Sequence, residues 1–162
     1  MSVDTLEPKG AVLDADTVLQ HIPQQKPFRF IDEITELSEE RIVGNYTFRE
    51  DEFFYEGHFP GNPVTPGVIL TESMAQVGVV ALGIYLVALK HGADSVNKWL
   101  TFFTDCAMDF SEPVYPGDKV TIEAKRVFWR RMKIRCEVTM TKEDGTIAAT
   151  GTLSGMGVPN DK

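Results

Sequence analysis

Cysteine is scarce in this chain, and its two cysteines show none of the spacings typical of metal sites. Cys106 and Cys136 each lie among apolar neighbours in a sequence of 162 residues. Isolated cysteines in apolar surroundings are typical of buried, reduced thiols. We therefore expect both thiols to be buried, no metal to be bound and the protein to be cytoplasmic.

Positive charge is also scarce. The 16 Lys and Arg residues are outnumbered by 24 Asp and Glu residues, which gives a net charge of -8. This balance argues against nucleic acid and anionic membranes as general partners. One basic run with no acid inside it stands out: Lys125, Arg126, Arg130, Arg131, Lys133 and Arg135. It is either a solvated strand face or a docking patch for an acidic protein or a phosphate group.

A long apolar run is missing too. The stretch from Val77 to Leu89 has about 13 residues before Lys90, short of the roughly 20 that a membrane span needs. It predicts a helix buried on nearly all sides, with Gly78 and Gly83 allowing strands to approach closely. The first residues lack the basic and apolar regions of a secretory signal. We expect a loose tail over 1–12 and a single domain over 13–158.

The remaining patterns predict an α+β fold. A short helix is expected at 12–22, capped by Asp14 or Asp16. Alternation of apolar and polar residues predicts antiparallel strands at 42–48, 120–124 and 132–140, with a bulge near Arg126. A hairpin turn at Asp144 and Gly145 leads into a strand at 147–153, and an aromatic-rich strand is expected at 99–103. One long helix among five or six strands predicts a sheet curled around that helix.

The segment Gly57–Gln76 carries the groups suited to chemistry. Thr65, Pro66 and Gly67 indicate a helix start, with Thr65 as the cap and Pro66 at the first helical position. The free amides of Gly67 and Val68 then point into the space before the helix. Such amides suit a developing negative charge on a substrate oxygen.

His58 and Glu72 lie on either side of this helix start. Glu72 lies in an otherwise apolar helix, so its carboxylate is either desolvated, with a raised pKa, or paired. Gln76, one turn further on the same face, is a candidate partner for it. Alone, each residue has an ordinary structural interpretation, as a hydrogen-bonded loop histidine and as a dipole-complementing acid. Together they indicate an acid/base pair.

The run GHFPGNPVTPGVILTESMAQ resembles the signature of the 3-hydroxyacyl-[acyl-carrier-protein] dehydratases, with Thr65 in place of the family's methionine. The positions that match are His58, Phe59, Pro60, Gly61, Pro63, Pro66, Gly67, Val68, Glu72, Ala75 and Gln76. The resemblance implies a hot-dog fold, in which an antiparallel sheet wraps around one long central apolar helix. A glutamate at position 72 resembles the branch that only dehydrates.

The resemblance also implies a site made by two subunits. His58 and Glu72 would be catalytic and would come from neighbouring chains, while an amide at Gly67 or Val68 would hold the thioester carbonyl. Phe59 and Pro66 would line the acyl tunnel. Carrier docking is not part of this resemblance; it follows from the docking interpretation of the basic run, which would use Arg126, Arg130, Arg131 and Lys133.

The partners implied are acyl carrier protein with its phosphopantetheine-linked substrate and a second copy of the chain, as a homodimer or a trimer of dimers. No metal or redox cofactor is implied. Two alternatives stay open from the sequence: a hot-dog acyl thioesterase, in which a carboxylate activates water, and a non-catalytic acyl-binding subunit.

Overall fold

The computed structural model describes residues 13–161, which form three α-helices, two 3₁₀ helices (Phe53–Tyr55 and Ala93–Lys98), one π-helical segment and six strands. The loose tail expected over 1–12 lies outside the described residues. The α-helices are α1 (Ala15–His21), α2 (Gly67–Ala75) and α3 (Leu82–His91), and the π segment, Gln76–Ala81, joins the last two. The strands are β1 (Glu33–Leu37), β2 (Arg41–Thr47), β3 (Trp99–Phe110), β4 (Lys119–Arg130), β5 (Lys133–Lys142) and β6 (Ile147–Pro159).

All six strands form one antiparallel sheet in the order β1-β2-β4-β5-β6-β3. The predicted bulge is confirmed, because the register of β4 against β5 shifts between Arg126 and Phe128. β3 is an edge strand of 12 residues, longer than the predicted 99–103. β1 was not predicted, because a short strand with alternating Glu, Ile and Thr carries little apolar signal.

The central helix, Gly67–His91, combines α2, the π segment and α3 over 25 residues. It is long and apolar enough to cross a membrane, yet 83% of its most apolar window is buried inside the fold. It is therefore the core helix that the sequence predicted, although it is longer than the apolar stretch alone. The sheet covers one side of this helix and so buries its apolar side chains.

Glycines set how closely helix and sheet approach. A Cβ at Gly78 would lie 2.9 Å from the Cβ of Ala124 and 3.2 Å from a methyl of Val138. The predicted close approach at Gly78 is thus confirmed. At Gly83 a Cβ would meet nothing within 4 Å, so the same prediction there is wrong. Gly83 instead lines a small cavity that separates the helix from strand residues such as Trp99, Trp129 and Ile134.

The two cysteines differ in exposure. Cys136 is buried and its thiol donates to the carbonyl of Gly78 over 3.1 Å, and burial raises its pKa to about 12. Cys106 is exposed on β3, so the expectation that both thiols are buried is wrong for this one. Apolar neighbours in sequence did not bury Cys106, because β3 has a strand on only one side.

Candidate active site

The start of α2 differs from the predicted cap by one residue. Pro66 is the N-cap, the helix begins at Gly67 and no side chain caps it. The predicted Thr65 cap is wrong, since its hydroxyl shares a 2.7 Å hydrogen bond with the hydroxyl of Tyr55 instead. The amides of Gly67 and Val68 have no acceptor within residues 13–161. They remain available to a substrate oxygen.

A cavity of about 630 Å³ lies between this helix start and the edge strand. From the helix it is lined by Gly67, Val68 and Thr71. From the strand it is lined by Phe103, Thr104, Asp105, Cys106, Met108 and Phe110. The lining is mostly apolar and includes Gly67 and Val68, whose amides are free, which suits an acyl chain attached to a polar thioester. His58 and Glu72 do not line this cavity within the single chain.

His58 is fixed by the backbone of its own loop. Its Nδ1 lies 2.8 Å from the carbonyl oxygen of Val64, and the amide of Val64 donates to the His58 carbonyl over 3.0 Å. A carbonyl can only accept, so Nδ1 carries the proton in the neutral ring. Nε2 is then the unprotonated nitrogen, and His58 can act as a base through it.

Glu72 lies in the second turn of α2 with no side-chain hydrogen bond or ion pair among residues 13–161. Burial raises its pKa to about 7. Of the two alternatives from the sequence, the structure therefore shows the desolvated carboxyl rather than the paired one. Near neutral pH such a group is present in both protonation states and can donate a proton.

Comparison with known proteins identifies the family. The FabA-like domain matches residues 22–153. The chain belongs to the FabA-like family. The hot-dog fold and the dehydratase activity predicted from the sequence are both confirmed.

Several curated relatives support this membership. A 3-hydroxyacyl-[acyl-carrier-protein] dehydratase FabZ from Geotalea uraniireducens is 38% identical over 124 residues, covering 74% of this chain and 79% of the relative. One from Nitratidesulfovibrio vulgaris is 35% identical over 150 residues, covering 91% and 93%. The bifunctional enzyme LpxC/FabZ of Chlorobaculum tepidum is 36% identical over 124 residues, and this chain spans only 25% of its length.

Solved structures share the fold at low identity. A thioesterase from Haemophilus influenzae aligns with a TM-score of 0.66 at 17% identity, covering 98% of both chains. A mutant thioesterase from Pseudomonas aeruginosa aligns with a TM-score of 0.65 at 12% identity, covering 96% of this chain and 99% of the other. These similarities show the fold alone.

In this FabA-like chain the other predicted site residues are only partly brought together. Gly67 and Val68 line the cavity, whereas Phe59 and Pro66 do not. Phe59 stacks on His58 instead, with ring centroids 4.0 Å apart, and Pro66 caps the helix. No hydrogen bond or ion pair joins His58 to Glu72 within the described chain.

The side chain of Gln76 does not bond to the side chain of Glu72, contrary to the prediction, although its backbone amide donates to the Glu72 carbonyl within the helix. Its side chain is fully buried, with Oε1 accepting from the amide of Phe30 over 2.7 Å and Nε2 donating to the carbonyl of Phe28 over 2.9 Å. The prediction of a bond between the two side chains is therefore wrong. Spacing along a helix gave the right face, but it carried no information about the segment packed there.

The side chains of the basic run line two separate grooves on the surface. Arg130, Arg131, Lys133 and Arg135 surround Phe128 and Met156 in a groove of about 350 Å³. The guanidinium groups of Arg130 and Arg135 lie 4.8 and 5.3 Å from the centre of the Phe128 ring. Arg126 is not part of this groove, because the bulge turns it into another one beside Glu40 and Arg41.

Two contacts at the candidate site were missed by sequence reasoning. One is the carbonyl of Val64, which holds His58, and the other is the hydroxyl of Tyr55, which bonds to Thr65. A backbone carbonyl has no sequence signal. Among residues 13–161 there is no group of three or more side chains suited to a metal ion.

Proposed function

We propose that this protein removes water from 3-hydroxyacyl thioesters carried on acyl carrier protein, giving trans-2-enoyl thioesters in fatty acid synthesis. One observation carries the proposal: the helix start whose free amides, at Gly67 and Val68, line an apolar cavity also carries a desolvated acid, Glu72, in its second turn. His58, with its Nε2 unbonded among residues 13–161, would complete the site as the base. The relatives named above carry the same activity in their names.

The elimination would use three groups. Nε2 of His58 removes a proton from the carbon next to the thioester carbonyl, while the amide of Gly67 or Val68 stabilises the charge on the carbonyl oxygen. Protonated Glu72 gives its proton to the hydroxyl group that departs from the next carbon, which leaves as water. The electron pair of the broken C–H bond becomes the new double bond. The proton on His58 then returns to Glu72 through solvent.

We infer that the two catalytic residues of one site come from two subunits of a homodimer. In support, the cavity is walled by an edge strand, β3, whose aromatic side chains are exposed: Phe102 by 56%, Phe103 by 47% and Phe110 by 50%. Large apolar groups on an unpaired strand edge are typical of a surface that another chain covers. Three such dimers would form the trimer of dimers that the resemblance implies.

The groove around Phe128 is our candidate for carrier docking. It presents Arg130, Arg131 and Lys133, which suit an acidic partner, on a chain that is otherwise negative. The strand register places this groove level with Phe102, near the start of β3. The amides at the start of α2 lie near Phe110, at the other end of β3. Two copies paired through β3 would run antiparallel, which brings the groove of one subunit toward the site of its partner.

The central helix is a core helix, and we place the protein in the cytoplasm, as expected for the substrates proposed. The thioesterase alternative is supported by fold similarity and by the unpaired, half-buried carboxyl of Glu72, which would also suit the activation of water. Product analysis separates the two activities.

The test uses purified wild-type protein with 3-hydroxyacyl thioesters of graded chain length, on carrier protein and on coenzyme A. Formation of the enoyl thioester, followed by its absorbance and by mass spectrometry, supports the proposal. Release of free thiol without enoyl product would replace it with the thioesterase. Binding without any turnover would indicate the acyl-binding subunit.

A further inference from the structure

The two ends of the loop that carries His58, which form its neck, are joined by a hydrogen bond between two buried hydroxyl groups. Tyr55 precedes the loop and Thr65 follows it, and each is only 5% exposed. Their hydroxyl oxygens lie 2.7 Å apart, in hydrogen-bond contact. Burial of Tyr55 raises its pKa to about 12, so the phenol stays neutral and keeps its proton.

This hydrogen bond is one residue away from the group that holds the catalytic ring. Thr65 directly follows Val64, whose carbonyl accepts from Nδ1 of His58 over 2.8 Å. The amide of Thr65 donates to the carbonyl of Val114 over 2.8 Å, which ties the same residue to the chain beyond β3. The position of Thr65 therefore sets where the Val64 carbonyl lies.

We propose that Tyr55 and Thr65 are positioning residues, which hold the Val64 carbonyl and, through it, the orientation and tautomer of His58. Neither side chain lines the cavity between α2 and β3, although Thr65 and Gly67 both line a smaller cavity of about 270 Å³ next to it. Tyr55 lines neither cavity, so its hydroxyl acts through Thr65 and His58 and not on the substrate. The effect on the reaction rests on the proposed function, whereas the effect on the His58 ring does not.

A hydrogen bond restrains this neck in a way that apolar contact does not, because it is directional. Removing one hydroxyl leaves the other buried without a partner, which lowers stability as well as order. Removing both hydroxyls at once eliminates that penalty while the directional restraint stays lost. A single and a double variant can therefore separate a structural role from a positioning role.

The kinetic test compares Tyr55→Phe, Thr65→Ser and the double variant Tyr55→Phe with Thr65→Val. We expect Tyr55→Phe to lower kcat about tenfold with KM nearly unchanged, since small displacements of a catalytic group reduce rates strongly. Thr65→Ser keeps the hydroxyl and should keep kcat. The double variant should regain the Tm lost in the single variant but not the kcat.

The matched control is Tyr46→Phe. Tyr46 is buried too, and its hydroxyl donates to the carboxylate of Glu52 over 2.6 Å. Glu52 is bonded to the backbone of Tyr55, so this variant disturbs the segment before the loop but leaves the hydrogen bond between Tyr55 and Thr65 in place. It should lose stability without the same loss of kcat. A double variant whose kcat returns with its Tm, or a control that lowers kcat as much as Tyr55→Phe, would overturn the proposal.

A second readout does not depend on turnover. Proton and nitrogen NMR of the His58 ring should show a single tautomer with a hydrogen-bonded Nδ1–H in wild type. Tyr55→Phe and the double variant should lose that signal or mix the tautomers, while Tyr46→Phe retains it. An unchanged ring in both variants would contradict the positioning role, even if the wild type proves not to be a dehydratase.

Discussion

At the scale of single residues, the candidate site depends on how two ordinary groups are held. The carbonyl of Val64 leaves His58 one free nitrogen, and the apolar helix keeps Glu72 partly protonated near neutral pH. A base and an acid can therefore coexist at one pH, which an elimination requires.

Replacing His58 with alanine should lower the elimination rate by a factor on the order of 10² or more, because the general base is lost. Enoyl formation under saturating substrate measures this, with circular dichroism to verify the fold. His21→Ala, in α1, is the control and should keep the wild-type rate. A His58→Ala variant with near-normal turnover would disprove the mechanism.

The pKa of Glu72 also predicts how stability changes with pH. It is raised from 4.5 to about 7, so between these values the folded chain binds more protons than the unfolded chain. The free energy of unfolding therefore decreases as the pH rises through this range.

Glu72→Gln removes this term and should stabilise the protein at pH 8, by on the order of 1 kcal/mol after allowance for solvent screening. At pH 5 the difference should be small. Denaturant unfolding at both values measures it, with the exposed Glu56→Gln as control. Equal effects of Glu72→Gln at pH 5 and pH 8 would show that its carboxyl is not desolvated.

At the scale of elements, the central helix and the sheet meet through small residues. Gly78 lies against Ala124 and Val138, while Gly83, five residues on, has open space where a Cβ would be. The two glycines thus provide a matched pair on one helix.

Gly78→Ala should destabilise the protein by about 1–3 kcal/mol, as overpacking in a core typically does. Gly83→Ala should be neutral or stabilising by up to about 1 kcal/mol, since alanine is the better helix former. Thermal unfolding compares them. Similar losses at both positions would mean that Gly83 is packed as tightly as Gly78 and would contradict the open space at Gly83.

The hairpin between β4 and β5 carries the proposed docking groove. Reversing the charge of Arg130 and Arg131 to glutamate should raise the KM for carrier-protein substrates and weaken its salt dependence. Small thioester mimics serve as the internal control and should react as before. An equal rise of KM for both substrate types would mean that the groove is structural.

At the scale of the whole molecule, the architecture could be predicted from sequence more accurately than the contacts between side chains could. The cap at Asp14 and the bulge near Arg126 follow from local chemistry and were found. The contacts of Gln76 and Thr65 are made with segments that only folding brings together, so they could not be assigned from sequence. Cys106 was misjudged because burial depends on which strand forms the edge.

A site shared between two chains predicts complementation. Mixing inactive His58→Ala with inactive Glu72→Ala chains and allowing subunit exchange gives dimers with one complete site. About half of the dimers are mixed at equal ratio, so activity should recover to roughly a quarter of wild type. No recovery, despite exchange shown by mass spectrometry, would place both residues of a site in one chain.

The buried amide of Gln76 has a consequence for how variants are interpreted. The Gln76 side chain accepts from the amide of Phe30 and donates to the carbonyl of Phe28. It thus makes the two hydrogen bonds that a peptide group of a neighbouring strand would otherwise make. Glutamate lacks the donor, asparagine is too short and methionine lacks both groups, so each leaves a backbone group unpaired. A screen for inactive variants would therefore select position 76 together with 58 and 72, although its intolerance reflects the backbone of another segment and not the reaction.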